Sequence, residues 1–292
     1  MMRRGVLPEL DAIPGNAFAA RFPGTGMVGI NLDQGSASAL RGNLATGWAQ
    51  RLAKKAIEAG RDVLWSVPFP GRGQLEAVNA GDHDALYVEV ARAIQKAMPK
   101  GKPVHVRLPW EFNLRDNREN LFADRNGNPA AALGTAAWRR LAGIFKAVGC
   151  AGDASGPVRI VWSPAVLHPS QDFVDPVSCW PGNDMADIIA PDLYLCRGFG
   201  QAPGGYTGGW FRQPLLRLRD LADAKWKPFG LAETGADSDD MADDVAMWIT
   251  DANGSRQTWH AIWWESGQVV DCRIAGGLRP RLAAAFAGGT SP

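Results

Sequence analysis

Short apolar runs of strand length alternate along this chain with longer amphipathic stretches, and that alternation sets the expected fold. Residues 26–33 read as a first strand, apolar and bounded by glycine and aspartate. Residues 44–59 follow as a helix, with Leu44, Trp48, Leu52 and Ile57 near one face. Residues 62–69 form a second clear strand, and a helix is expected over about 83–97. A third strand runs from Val104 towards Glu111, followed by a long polar loop at 114–129 and a helix at about 130–148. Strands at 158–163 and 187–194 come next, then a helix at about 213–224 and a strand ending at Glu233. A helix at about 239–251, a last strand at 259–265 and a closing helix at 277–287 complete the pattern.

Strands separated by helices imply parallel pairing with crossover connections. Seven strands are well marked; an eighth is expected around 34–43 or 72–82, where the pattern is poor. An eight-stranded (β/α) barrel takes about 250 residues, so the 292 here suit one such barrel. The expected fold is α/β, a single-domain (β/α)8 TIM barrel over residues 26–292, with residues 1–25 as an N-terminal extension. A doubly wound open sheet is the alternative. It lacks support, because Gly24-Thr-Gly26 precedes the first strand, whereas a phosphate-binding turn follows it.

Two strands end on glutamates, Glu111 and Glu233. The C-terminal mouth of a barrel strand is where chemistry is placed, since the strand fixes geometry and the loop opens to solvent. Two such carboxylates in one barrel are what glycoside hydrolysis uses. Trp110, Phe112 and Asn113 flank Glu111, and desolvation by aromatic neighbours raises a carboxyl pKa, as a general acid requires. The structural alternative pairs Glu111 with an arginine of its own segment, Arg107. Glu233 has small neighbours, Ala232 and Gly235, that leave room for substrate; its structural alternative is a carboxylate at a helix N-terminus. Glu265, after Trp263 and Trp264, is a third acidic candidate, read more simply as a loop carboxylate beside a sugar platform.

Composition narrows the partners. There are 31 Lys and Arg against 30 Asp and Glu, a net charge of +1, which offers no electrostatic case for nucleic acid or an anionic membrane. No segment has the length of a membrane span, and no signal-peptide stretch follows the basic tip Met1-Met-Arg-Arg4; a soluble chain is expected, with localisation and oligomeric state left open. Twelve tryptophans against three tyrosines supply flat amphipathic faces suited to sugar rings, about half of them assigned to core packing. Cys150, Cys179, Cys196 and Cys272 lack metal-ligand or redox spacing, and Cys179 with Cys196 is the one disulfide considered, beside free buried thiols. His83, His105, His168 and His260 show no zinc motif, and Asp124-Arg-Asn-Gly-Asn128 reads as a turn before it reads as a calcium loop. No metal or organic cofactor is implied.

Four segments, in order, resemble the clan A retaining glycoside hydrolases and among them family 26, the β-mannanase family. Arg107-Leu-Pro-Trp-Glu-Phe-Asn113 resembles the family's Arg-x-x-His-Glu-Met-Asn, and Val161-Trp-Ser-Pro164 its Trp-Ser-Pro strand. Trp180-Pro-Gly-Asn-Asp…Asp192-Leu-Tyr194 is similar to its Tyr-Pro-Gly-Asp-Asp…Asp-x-Tyr block, and Lys227-Pro…Ala232-Glu-Thr-Gly-Ala236 to Lys-Pro…Ala-Glu-Phe-Gly-Ala. Trp110 departs from the family's histidine, and Thr234 from its phenylalanine. The resemblance implies an endo-acting, retaining hydrolase of oligo- or polysaccharide, with Glu233 as nucleophile and Glu111 as acid/base. It further implies that Tyr194 bonds to Glu233, that Arg107 keeps Glu233 ionised, and that Trp110, Asn113, Trp162, Trp264 and Glu265 contact the sugar. Alternatives of other kinds are a catalytically silent carbohydrate-binding barrel and an inverting hydrolase whose carboxylate pair uses Glu265 or Asp192. The loop 114–129 and the Gly-rich stretch 198–210 are expected to shape the cleft.

Overall fold

The computed structural model describes residues 3–8, 25–32, 36–117, 119–150, 156–195, 210–236, 243–245 and 257–265. Within them the strands are β1 (Arg3–Pro8), β2 (Thr25–Asn31), β3 (Asp62–Ser66), β4 (Val104–Arg107), β5 (Val158–Trp162), β6 (Ile188–Ile189), β7 (Asp192–Leu195), β8 (Phe229–Ala236) and β9 (Gln257–Glu265). The longer helices are α1 (Ala37–Thr46), α2 (Trp48–Glu58), α3 (Leu75–Ala80), α4 (Asp84–Ala97), α5 (Ala131–Cys150) and α6 (Arg212–Lys225). The strands pair in parallel in the order β6-β5-β4-β3-β2-β1-β9-β8-β7, and a further pairing of Ile189 with Phe229 joins β6 to β8. The sheet is therefore curled, with both ends of its order meeting β8.

The strand left unlocated by the sequence lies inside the stretch read as an N-terminal extension. Arg3–Pro8 pairs with β2 on one side and with β9 on the other, Pro8 standing opposite Glu265. The two places expected to hold it, 34–43 and 72–82, instead contain α1 and α3. Two other boundaries move for identifiable backbone reasons. The helix expected over 44–59 is two helices that meet at Gly47, whose φ of 65° ends α1 in the left-handed conformation while its N–H bonds to the Asn43 carbonyl. The strand expected over 187–194 is split into β6 and β7 at Pro191, which has no N–H to give to a ladder. The helix at 277–287 and most of that at 239–251 lie outside the described residues.

Side-chain parity divides the core. Met27, Leu64, Val161, Ile188, Ala190 and Ala232 form a small apolar cluster on one face of the curled sheet. The alternate residues, among them Val28, Val63, Trp65, Val106, Ile160 and Trp162, join the larger cluster that includes the helix residues Ala53, Leu86, Val90, Trp138, Leu141 and Leu215. Among the described residues no helix is long and apolar enough to cross a membrane.

One glycine is dictated by this packing. Gly134 lies in α5 against Phe122, and an added Cβ would fall 2.1 Å from the ring. That ring is fully buried and stacked on Phe112 at 4.2 Å, so it has no room to retreat. Helix propensity alone favours alanine over glycine by roughly 0.5–1 kcal/mol. Gly134→Ala is nonetheless expected to destabilise by about 1–3 kcal/mol, as overpacking does; a urea midpoint equal to or above that of the parent would refute this account.

Candidate active site

The C-terminal ends of β2, β3 and β4 are in register, so that Asn31, Ser66 and Arg107 stand side by side. Arg107 is the centre of the arrangement and has no solvent-exposed surface. Its Nε donates to Ser66 Oγ at 2.9 Å, and Nη1 donates to both oxygens of Asp192 at 2.9 and 3.0 Å. Nη2 donates to Asn31 Oδ1 at 3.1 Å and to Glu233 Oε1. A buried guanidinium is tolerable only with its donors engaged in this way. Burial alone would lower its pKa; the charges of Asp192 and Glu233 outweigh that and hold it above its usual value.

Asp192 begins β7 and Glu233 lies opposite it on β8. Ser163 Oγ donates to Asp192 at 3.0 Å. Burial pushes the Asp192 carboxyl up, and the charge of Arg107 opposes the push. Glu233 is 2% exposed and its carboxylate is held from three sides. Besides Arg107, Asn31 Nδ2 donates to Oε1 at 3.2 Å and Tyr194 Oη donates to Oε2 at 2.6 Å. Burial, then the charges of Glu233 and Asp192, raise the Tyr194 pKa well above the phenol value, so Tyr194 stays a donor.

Glu111 lies four residues beyond the end of β4, at a φ of 50°. A non-glycine residue in that left-handed region costs on the order of 1 kcal/mol or more, and two backbone bonds hold it there. Its N–H donates to the Ser163 carbonyl at 2.8 Å, and its own carbonyl accepts from Leu114 at 2.9 Å. The Glu111 side chain is half-buried, and Asn117 Nδ2 donates to its Oε2 at 3.3 Å and to the Trp110 carbonyl at 2.9 Å. Desolvation, followed by the negative charge of Glu233, pushes the Glu111 carboxyl up to about 8, against the opposing effects of Arg107 and Asn117. Two carboxyl groups that sense each other, one buried on a cation and one inclined to keep its proton, can serve as base or nucleophile and as acid.

The sequence-predicted residues divide. Arg107, Glu111, Tyr194 and Glu233 belong to one hydrogen-bonded and electrostatically linked group. Trp110 is beside them but 3% exposed, its ring 4.7 Å from the Arg107 guanidinium carbon, so it caps the arginine and offers no open platform. Two residues expected to contact sugar lie in the interior. Asn113 is fully buried, with Nδ2 donating to the Ala165 carbonyl and to Asp172 at 2.9 and 2.7 Å and Oδ1 accepting from Ala165 N at 2.8 Å. Its polar atoms pin the loop after β5. Trp162 follows the inward Val161 and so faces the helices, fully buried against Phe112 and edge-on to Trp180. Trp264 and Glu265 are on β9, and their side chains lie outside the described part of the structure.

Sequence reasoning missed Asn31, Ser66, Ser163 and Asn117. Strand parity carried the clue for Asn31, which shares a face with Met27; Ser66 and Ser163 similarly end apolar strands with a hydroxyl. Asn117 sits in an irregular loop, where no periodicity points to it. Elsewhere, Asp124 Oδ1 accepts from the backbone of Asn126 and Asn128, a turn. Cys179 is a buried free thiol, pushed up to about 11 by burial, and Cys196 lies outside the described residues.

A curled sheet of parallel strands with helices packed against it is an α/β, barrel-like architecture. Particular structures of that kind match this chain. The GH26 β-mannanase BoMan26A of Bacteroides ovatus matches at 15% identity and a TM-score of 0.60, covering 98% of this chain and 85% of its own. The catalytic domain of a GH26 endo-β-1,4-mannanase from Bacillus sp. JAMB-750 matches at 14% identity and a TM-score of 0.66, covering 98% and 85%. A double mutant of the Cellulomonas fimi endo-β-1,4-mannanase matches at 14% and 0.65, covering 97% and 68%. No protein-family model and no curated protein matches the chain. At such identities the likeness is one of fold.

Proposed function

We propose that this chain is a retaining, endo-acting glycoside hydrolase of polysaccharide, built as one domain on a complete (β/α)8 barrel. Counting β6 and β7 as halves of one strand gives eight wall strands, and the Ile189–Phe229 pairing supports closure. Glu233 attacks the anomeric carbon; Glu111 protonates the departing oxygen and then takes a proton from the water that releases the sugar. Arg107, Asn31 and Tyr194 hold Glu233 aligned for attack. The observation that carries the reading is electrostatic: a carboxylate ion-paired to a buried arginine lies near a second carboxyl that keeps its proton to about pH 8. The similarity in fold to GH26 mannanases supports it. The position that is histidine in that family is here Trp110, which can accept no hydrogen bond from a sugar hydroxyl and covers Arg107.

The test is covalent trapping. Incubation with activated 2-deoxy-2-fluoro glycosides is expected to add one glycosyl mass, mapped by peptide sequencing to Glu233, and NMR of the first product should show the anomer of the substrate. An inverted product, or an adduct on another carboxylate, would exclude double displacement through Glu233.

A pH profile separates the two roles. Glu111 must be protonated for glycosylation, so kcat/KM should fall as pH rises through about 8. The Asn117 bond favours the ionised form of Glu111 and lowers its pKa. Removing it in Asn117→Ala should therefore move the alkaline limb to higher pH; a limb that stays put or moves down contradicts Glu111 as the acid.

A further inference from the structure

On the rim that carries Glu111, three connections enclose a groove of about 670 Å³, a size within the about 300–1,000 Å³ of ligand clefts. Arg72 comes from the connection after β3, Arg115 and Arg125 from the one after β4, and Phe173 from the one after β5. All three connections leave the C-terminal ends of their strands, as Glu111 does. The groove is also tied to the catalytic segment directly: Arg115 follows Glu111 by four residues, and Phe173 N–H donates to the Asn113 carbonyl at 2.9 Å.

Its arginines contrast with several others on the described surface. Arg139, Arg140 and Arg217 each hold an aspartate at 2.7–3.2 Å. Arg72, Arg115 and Arg125 are exposed, and among the described residues none has a carboxylate within ion-pair range. Asp116 and Asp124 also line the groove, and the Glu76 carboxylate accepts from the Arg125 backbone N–H at 3.4 Å, so the arginines outnumber the lining acids by three to two. The Arg115 guanidinium carbon lies 4.9 Å from the centre of the Phe173 ring, a cation–π contact at the wall of the groove. Gly127, at a φ of 85°, brings its loop to the tip of Arg72, and Gly73 faces open space.

We propose that this groove is a substrate subsite for sugar residues that carry a carboxylate, so that the polysaccharide cleaved is an acidic one. Planar guanidinium groups recognise carboxylates through paired N–H donors. Three cations at one groove are too few for the broad basic face that nucleic acid requires, and the chain's net charge of +1 adds none. The inference rests on the glycosidase reading, because it takes its ligand class from the adjacent carboxylates.

The test uses the full chain bearing Glu233→Gln, so that binding is read without hydrolysis. Affinity electrophoresis is run in gels containing polygalacturonate, alginate, glucuronoxylan or xanthan, each beside its carboxyl-reduced form, with dextran sulfate as a plain polyanion. At least one acidic polymer is expected to bind ten-fold or more tightly than its reduced form and than dextran sulfate. Adding Arg72→Gln, Arg115→Gln and Arg125→Gln together should weaken that binding ten-fold or more at an unchanged thermal midpoint. No binding to any acidic polymer, equal binding to the reduced form or to dextran sulfate, or a triple variant that binds like its parent would each overturn the subsite. Hydrolysis distinguishes the two readings. If the parent cleaves a neutral glycan and the three substitutions leave KM and kcat unchanged, the subsite fails and the glycosidase stands. If acidic polymers bind through the arginines but the parent cleaves none, the glycosidase reading fails and with it the substrate role of the groove, which is then a binding site for acidic glycan alone.

Discussion

Glu233→Gln is expected to lower turnover by roughly 10⁴- to 10⁶-fold, the scale seen when a nucleophile is removed from an assembled catalytic unit. The amide cannot form or release a glycosyl ester, yet it fits the space of the carboxylate. Its oxygen can still accept from Arg107 or Asn31, and Arg107 keeps its two-oxygen contact with Asp192. Stability should therefore change little, which distinguishes this substitution from a general disruption. A second readout follows from the charge lost. The negative charge of Glu233 is, after desolvation, the largest influence raising the Glu111 pKa. In the variant, Glu111 should titrate below the native value of about 8, measurable by carbon NMR on labelled glutamate. Near-normal turnover would remove Glu233 from the chemistry; an unmoved Glu111 titration would mean the two carboxyl groups are not coupled.

The parts of this site that were legible in the sequence share one property: they follow a clean apolar run. Arg107, Tyr194 and Glu233 sit on strands whose pattern fixes their depth, and Glu111 lies a few residues past such a strand. Direction was harder to read than position. Trp162 and Asn113 look like sugar contacts by residue type, but Val161 faces the sheet interior and thereby turns Trp162 to the helices, while Asn113 is spent on the loop after β5. A residue's face is set by its neighbours' parity, which the alternation in β5 already contained. β1 was illegible for a different reason. Arg3-Arg-Gly-Val-Leu-Pro8 has two apolar positions beyond glycine and proline, and only its two flanking strands make it one. Non-local pairing of that kind outweighs weak strand propensity. Glu111's positive φ and the Asn117 bond arise from an irregular loop, where no period exists to be read.

Arg107→Met is expected to be the most destabilising single change in this site. Methionine replaces part of the volume but none of the charge, leaving Asp192 and Glu233 buried without their cation. Removing one partner of a buried pair costs about 3–5 kcal/mol, because the surviving charge stays desolvated. Trp110 loses the cation against its ring as well. The pH dependence identifies the cause. Arg107 lowers the Asp192 pKa, so without it the folded-state value rises further above that of the unfolded chain. A carboxyl whose folded pKa is raised binds a proton on folding, and that contribution is complete only below the unfolded pKa and fades as pH rises. The deficit of Arg107→Met relative to the parent should thus be smallest at acid pH and grow as pH rises past the already raised folded-state value of Asp192, read from urea unfolding at one acid and one alkaline pH. A deficit equal at the two pH values would assign the loss to packing. Asp192→Asn added to Arg107→Met should then cost less than Asp192→Asn alone, since the charge it removes no longer has a partner; additive losses would mean that the guanidinium and Asp192 do not act as a pair.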